Sequence, residues 1–231
     1  MFWLPILMWG ENVLNCGKCG TYACYYGDLE KMPKFCPMRN ENSRKIYEFT
    51  KEKYLKDEKI KNLALNAARV EAKGYLKWTR VEETIEFARR CGFKKLGVAF
   101  CVGVRKEAKI LVDILEKNGF EVCSVICKTG SIPKEELDLK KDEKIIPDRY
   151  EVICNPIAQA MLLNEENTDL NILFGLCVGH DTLFIMHSKA PVTCLAVKDR
   201  VLAHNPMGAI YTSHHYYRKK LYEAHLEGVN K

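Results

Sequence analysis

The chain has 231 residues, 47% of them apolar and 29% charged. That suffices for one large α/β domain or a domain with a small module, and it is not the composition of a disordered or fibrous chain. The net charge is +6, but lysines alternate with glutamates, as in Lys51-Glu-Lys53, and no arginine stripe interleaves with aromatics, so no nucleic-acid partner is expected. Eleven cysteines, an odd number below the density of a secreted disulfide scaffold, point to a reduced, cytoplasmic compartment with metal-bound or reactive thiols.

The opening stretch, Met1-Phe-Trp-Leu-Pro-Ile-Leu-Met-Trp9, is apolar but too short to span a bilayer. It has no basic n-region and no small-residue cleavage site, so neither a signal peptide nor a membrane partner is expected. It either packs on the protein or precedes a functional start nearer Met8.

Residues 10–40 are predicted to form a cysteine-rich module. Cys16, Cys19, Cys24 and Cys36 have the spacing C-x2-C-x4-C-x11-C. Four thiolates so close in sequence suit a tetrahedral S4 site, either an iron–sulfur cluster or zinc. Gly17 and Gly20 give the backbone freedom to turn the sulfurs towards one centre. Cys36 is followed by Pro37, as is the last cysteine of the bacterial ferredoxin run, which tips the expectation towards a cluster. Two disulfides or free surface thiols are the alternative to a metal.

Residues 41–92 read as a helical connection. One long helix is expected from Ser43 to Ala72, with Ile46, Phe49, Tyr54, Leu55, Ile60, Leu63, Leu65 and Ala68 as its apolar stripe. A second is expected from Thr79 through Arg90, with Val81, Ile85, Phe87 and Ala88 facing a core.

Residues 93–231 alternate strands with helices. Strands are predicted at Lys95–Cys101, Phe120–Cys127, Tyr150–Cys154, Asp169–Cys177 and Val192–Val197. Helices are predicted at Val104–Asn118, Pro156–Glu165, from His180, and at Tyr211–Leu226. Lys128–Asp148 is a polar excursion. The expected fold is α/β, a mostly parallel sheet of about five strands covered by helices, with an N-terminal cysteine-rich metal-binding module.

The first four predicted strands end on Cys101, Cys127, Cys154 and Cys177. In a parallel sheet the carboxyl ends share one edge, where open α/β folds bind ligands. A second thiol site is therefore expected there, holding a cofactor or acting in redox or sulfur-transfer chemistry. Phe100-Cys-Val-Gly103 and Leu176-Cys-Val-Gly179 nearly repeat each other, each before a helix, where thiolate is favoured. Cys177, His180, Asp181, Arg200 and His204 are the candidate catalytic residues: a nucleophile, proton carriers and an anion contact. Packing cysteines, a helix-end charge at Asp181 and a local Asp199–Arg200 pair are the structural alternatives. Cys91, Cys123 and Cys194 are expected to be packing residues.

Several motifs together resemble one family. They are Cys19-Gly-Thr-Tyr-Ala-Cys24, Cys36-Pro-Met38, Phe100-Cys-Val-Gly103, Cys127-Lys-Thr-Gly130, Cys154-Asn-Pro-Ile157, Gly175-Leu-Cys-Val-Gly-His-Asp181, Ala190-Pro-Val-Thr193 and Lys198-Asp-Arg-Val201 with His204-Asn-Pro206. The resemblance, over residues 13–212, is to the uncharacterised prokaryotic family called domain of unknown function 1847, described as predicted metal-binding proteins. It implies a metal-binding protein and carries no established reaction. The apolar extension before Cys16 departs from its pattern.

The expectation is thus a metal-binding protein, with an iron–sulfur cluster or zinc at the N-terminal cysteines and a thiol site at the sheet edge. Its partner would be a small anionic substrate or a redox partner. A non-catalytic metal sensor or chaperone, or a structural zinc module on an enzyme-like domain, are the alternatives.

Overall fold

The computed structural model describes residues 14–223. The apolar start at 1–9 and the end of the expected closing helix, with His225, lie outside the described residues. The chain divides into two compact units, Met1–Ala68 and Arg69–Lys231.

In the first unit, Cys16–Lys18 forms a 3₁₀ turn, and α1 (Ala23–Tyr26) is one turn closed by Gly27 at φ 71°. Cys36 precedes a 3₁₀ turn at Pro37–Arg39, where proline supplies the fixed φ of a first position. Asn40 caps α2 (Glu41–Lys56), its side chain accepting the Asn42 N–H at 2.9 Å. The single helix expected over Ser43–Ala72 is instead two. Asp57 leaves helical geometry at ψ 105° and caps α3 (Glu58–Gly74), accepting the N–H groups of Lys59 and Ile60. The expected stripe does not form a core in α2, where Ile46, Phe49, Tyr54 and Leu55 are exposed.

In the second unit, α4 (Arg80–Arg90) begins at a reciprocal capping box between Thr79 and Glu82. Then come β1 (Lys95–Phe100), α5 (Arg105–Lys117), β2 (Glu121–Ile126), α6 (Pro156–Glu165), β3 (Leu170–Leu176), α7 (His180–His187) and β4 (Val192–Val197). Two short helices close the described chain, α8 (Met207–Tyr211) and α9 (Arg218–Tyr222), where one closing helix was expected. The sheet is four-stranded and parallel throughout, in the order β2-β1-β3-β4.

Side chains alternate along the strands, so each strand feeds two cores. Leu96, Val98, Leu170 and Ile172 pack with Ile85, Ala88, Leu111 and Leu115 of α4 and α5. Ala99, Leu173 and Leu176 pack on the opposite face with Ala160, Leu163 and Phe184 of α6 and α7. Central strands buried on both faces read as continuous apolar runs, and each fully buried leucine or isoleucine contributes about 1.5–3 kcal/mol. Ile110, expected inside, lies on the outer side of α5.

One polar network crosses this interior. Asn171 is fully buried; its Oδ1 accepts from Thr168 Oγ1 at 2.8 Å and its Nδ2 donates to Ser188 Oγ at 2.8 Å. It pairs with Gly97 in register, and a Cβ at Gly97 would stand 2.0 Å from Oδ1, so only glycine leaves the asparagine room.

The strand expected at Tyr150–Cys154 is not in the sheet. Val152 forms an isolated antiparallel bridge with Pro133, and Ile153 N–H donates to Ile132 O at 2.9 Å. The segment's backbone bonds go to the start of its own excursion, which the Lys134–Glu151 ion pair at 2.5 Å ties further. The sheet therefore has four strands, not about five.

Candidate thiol centre at the sheet edge

The strand order makes the site. From β1 the chain turns to α5 on one face of the sheet; from the adjacent β3 it turns to α7 on the other. The two near-repeated turns, at Cys101-Val-Gly103 and Cys177-Val-Gly179, thus part from each other at a topological switch point, the place outside the strand ends where open α/β folds bind ligands.

Three of the four expected edge cysteines come together there. Cys127 ends β2; its N–H donates to Phe100 O at 2.9 Å, and its Sγ accepts the Val102 N–H at 3.3 Å. Cys154 is delivered beside it although no strand carries it. Asn155 N–H donates to Cys127 O at 2.7 Å, and Asn155 Oδ1 caps α6 by accepting the Ala158 N–H at 3.0 Å. The Sγ atoms of Cys127 and Cys154 lie 3.7 Å apart. Cys101 completes the trio through a side-chain hydrogen bond with Cys127. Beneath them, the buried Gln159 donates its Nε2 to Phe100 O at 3.2 Å and Val125 O at 2.6 Å, fixing both strand ends to α6.

The trio shares protons unequally. Hydrogen bonds with Cys101 and then Cys154, together with burial, push the Cys127 thiol far up. Cys101 is lowered to about 5, first by its hydrogen bond with Cys127 and then by the Gly103 N–H and the Lys198 ammonium, against burial. Cys154 is also lowered to about 5, first by Cys127 and then by Lys128 and His180, against burial. Cys127 therefore keeps its proton between two neighbours that favour thiolate, and a thiolate is the attacking form of cysteine.

Cys177 is not part of this trio. It ends β3, and its Sγ accepts a hydrogen bond from Arg200 Nη2 at 3.1 Å. His180 and Asp181 open α7, their N–H groups donating to Cys177 O at 3.0 and 3.2 Å. His180 faces Cys154 electrostatically, whereas the charge of Asp181 falls on Cys194, together with that of Arg80. His204 shapes the turn that carries Arg200: its Nδ1 accepts the Asp199 N–H at 3.1 Å, and Asp199 Oδ1 accepts those of Val201 and Leu202. The Asp199–Arg200 pair, the structural alternative for Arg200, is not formed among the described residues. Of the cysteines expected to be packing residues, Cys123 is half-buried in β2, while Cys194 is exposed.

Lys198 and Lys128 belong to the site as well, though neither was given a role from sequence and Lys198 was named only within the Lys198-Asp-Arg-Val201 segment after the last strand. Lys198 N–H donates to Leu176 O at 2.9 Å, and Lys128 Nζ donates to Val152 O. The available signal was position: each is the first or second residue past a strand.

In the N-terminal unit Cys16 and Cys24 are exposed, and Cys19 and Cys36 half-buried. Cys19 sits at a turn in which the Tyr22 N–H, the Thr21 hydroxyl at 3.6 Å and the Thr21 N–H all approach its sulfur and lower its pKa. Such N–H···S turns suit a metal thiolate. Yet among the described residues no three His, Cys, Asp or Glu side chains are arranged to hold a metal ion. The donor types fit a soft metal and the positions do not.

Fold and site together define a doubly wound α/β protein with a hydrogen-bonded thiol cluster at its switch point. The chain belongs to the family described as protein of unknown function (DUF1847), whose profile matches residues 36–195. The matched range includes the sheet-edge cysteines and Cys36; Cys16, Cys19 and Cys24 precede it. The chain is 49% identical over 210 residues to the uncharacterised protein MJ0455 of Methanocaldococcus jannaschii, covering 91% of this chain and 99% of that one. No helix among the described residues is long and apolar enough to cross a membrane.

The lowered thiols set a pH dependence. With a folded pKa of about 5, Cys101 and Cys154 stay ionised as pH falls from about 8.5 to 6.5, where an ordinary thiol loses about fifty-fold in thiolate. Alkylation followed peptide by peptide should show these two nearly unslowed over that range and Cys127 slow throughout. Equal slowing of all three would contradict the shared-proton arrangement.

Proposed function

We propose that this protein carries out thiol-based redox or sulfur-transfer chemistry on a small anionic molecule at the carboxyl edge of its sheet, in a reducing, cytoplasmic compartment. The observation that supports this most is the contact of Cys127 with both Cys154, at 3.7 Å, and Cys101. Three cations, Lys128, Lys198 and Arg200, act on the thiols at that edge, and His180 lies beside Cys154. None of them takes part in an ion pair among the described residues. An edge that concentrates positive charge without carboxylate partners favours anions.

With a substrate disulfide the step balances as follows. A thiolate beside Cys127, that of Cys101 or Cys154, attacks one substrate sulfur, and the other leaves as a thiolate that takes up the Cys127 proton. The Cys127 thiolate then attacks the sulfur of that cysteine and expels the second substrate thiolate. The substrate gains two electrons, the cysteine pair loses two, and an external dithiol restores the pair. Sulfur transfer from a persulfide shares the first attack. Arg200, on Cys177, adds to the positive charge that draws the anion to this edge, and His180 supplies or removes a proton beside Cys154.

Trapping tests this reading. A small anionic disulfide added to Cys127→Ser protein should leave a stable mixed disulfide on Cys154 or Cys101, seen by peptide mass. The unmodified protein should pass rapidly through that adduct. Equal accumulation in both proteins would remove Cys127 from the mechanism.

A metal site at Cys16, Cys19, Cys24 and Cys36 is a second reading, favoured by the N–H and hydroxyl donors around Cys19. Here the metal itself would draw the ligands together, as binding coupled to folding does. An iron–sulfur cluster or zinc would then occupy the N-terminal unit. Protein purified without oxygen should carry iron with sulfide, or one zinc, lost on substitution of Cys19 by alanine. Metal-free protein, or metal retained in that variant, would remove this reading and leave the sheet-edge proposal standing.

A further inference from the structure

Two glycines at the switch point surround an ammonium group. A Cβ at Gly103 would stand 3.1 Å from Lys198 Nζ and 3.8 Å from Cys101 Sγ; one at Gly175 would stand 3.7 Å from the same Nζ. Gly175 also has φ 67°, which glycine alone adopts freely, at the irregular register between β3 and β4. Gly103 has no such backbone demand. Its missing side chain is explained by space: it leaves room for Lys198 beside Cys101. Lys198 is half-buried and anchored by its N–H to Leu176 O at 2.9 Å. Its ammonium has no carboxylate partner among the described residues and acts on the Cys101 sulfur, as Arg200 acts on that of Cys177. A cation beside a nucleophile at the switch point of a parallel sheet is arranged to receive an oxyanion.

We infer that Lys198, between Gly103 and Gly175, is the anion subsite of the thiol centre, holding the carboxylate, sulfonate or phosphate group of a substrate whose soft electrophilic atom then faces Cys101. This deepens the proposed thiol chemistry and rests on it. It specifies the substrate class: a small molecule in which an oxyanion lies close to a sulfur open to thiolate attack. It also gives the two edge thiols different tasks. Cys101, beside the ammonium, meets the bound anion, and Cys127 lies next to it to resolve the adduct. In that step the Cys101 thiolate forms a bond to the substrate sulfur, and the group beyond that sulfur departs with its electron pair.

The test compares two disulfide reagents at Cys101, read by peptide mass: dithiobis(nitrobenzoate), which is anionic, and dithiodipyridine, which is neutral. The pH is chosen so that Cys101 is fully ionised in every variant, which removes any change in thiolate fraction. The expected preference for the anionic reagent is about tenfold or more. It should be lost in Lys198→Met, restored in Lys198→Arg and reduced in Gly103→Ala, whose Cβ crowds the ammonium without straining the backbone. The neutral reagent's rate should stay nearly constant across all of them. An anionic preference that survives both Lys198→Met and Gly103→Ala overturns the subsite while leaving the thiol centre intact. Failure of the neutral reagent to reach Cys101 at all overturns the thiol centre and the subsite together.

Discussion

Everything at the site depends on two neighbouring parallel strands leaving the sheet on opposite faces. β1 and β3 are paired along their length, so Cys101 and Cys177 end up on adjacent strands. If both strands fed helices on the same face, the following turns would close over their ends. Because α5 and α7 lie on opposite faces, the turns separate and the strand ends stay open. At Gly103 the absent side chain leaves the Lys198 ammonium its place beside Cys101, since a Cβ would stand 3.1 Å from Nζ.

Chemistry is added to this frame by hydrogen bonds from the backbone and from buried amides. Asn155 fastens the chain after the excursion onto Cys127 and caps α6 with the same side chain. Gln159, from that helix, holds the last carbonyls of β1 and β2. Two cysteines distant in sequence are thereby placed 3.7 Å apart without a strand pairing between them. A sulfur in such a cluster is a poor match for water and a good match for another sulfur sharing its proton. The result is a thiolate kept available well below the pH at which an isolated cysteine ionises.

Much of this was legible in the sequence, for reasons that also explain where it was not. Buried parallel strands have to be apolar on both faces, so Lys95–Phe100 and Leu170–Leu176 stood out as short continuous runs. Their cysteine ends and the shared sheet edge followed from parallel pairing. Tyr150–Cys154 has the same composition and failed as a strand because its hydrogen bonds go to Ile132 and Lys134 of its own excursion, which no local pattern reveals. Cys154 still reached the site, carried by Asn155 rather than by a sheet. The break at Asp57 was hidden because an aspartate serves equally well on a solvated helix face and at a cap. Lys198 was hidden for a different reason. Its place just past the last strand was visible, but the role went to its neighbour Arg200, and only the approach of its ammonium to Gly103 and Cys101 sets it apart. Cys177 had the same sequence context as Cys101, yet the switch point separates them and gives Cys177 to Arg200.

The central claim is that Cys127 is the thiol through which its neighbours act. It is tested most directly by oxidising the whole protein with one equivalent of a small disulfide in the absence of oxygen and mapping the first internal disulfide by mass spectrometry. The account predicts a bond from Cys127 to Cys154 or to Cys101, formed ahead of any bond among the exposed N-terminal thiols. A first disulfide that leaves Cys127 reduced would contradict it.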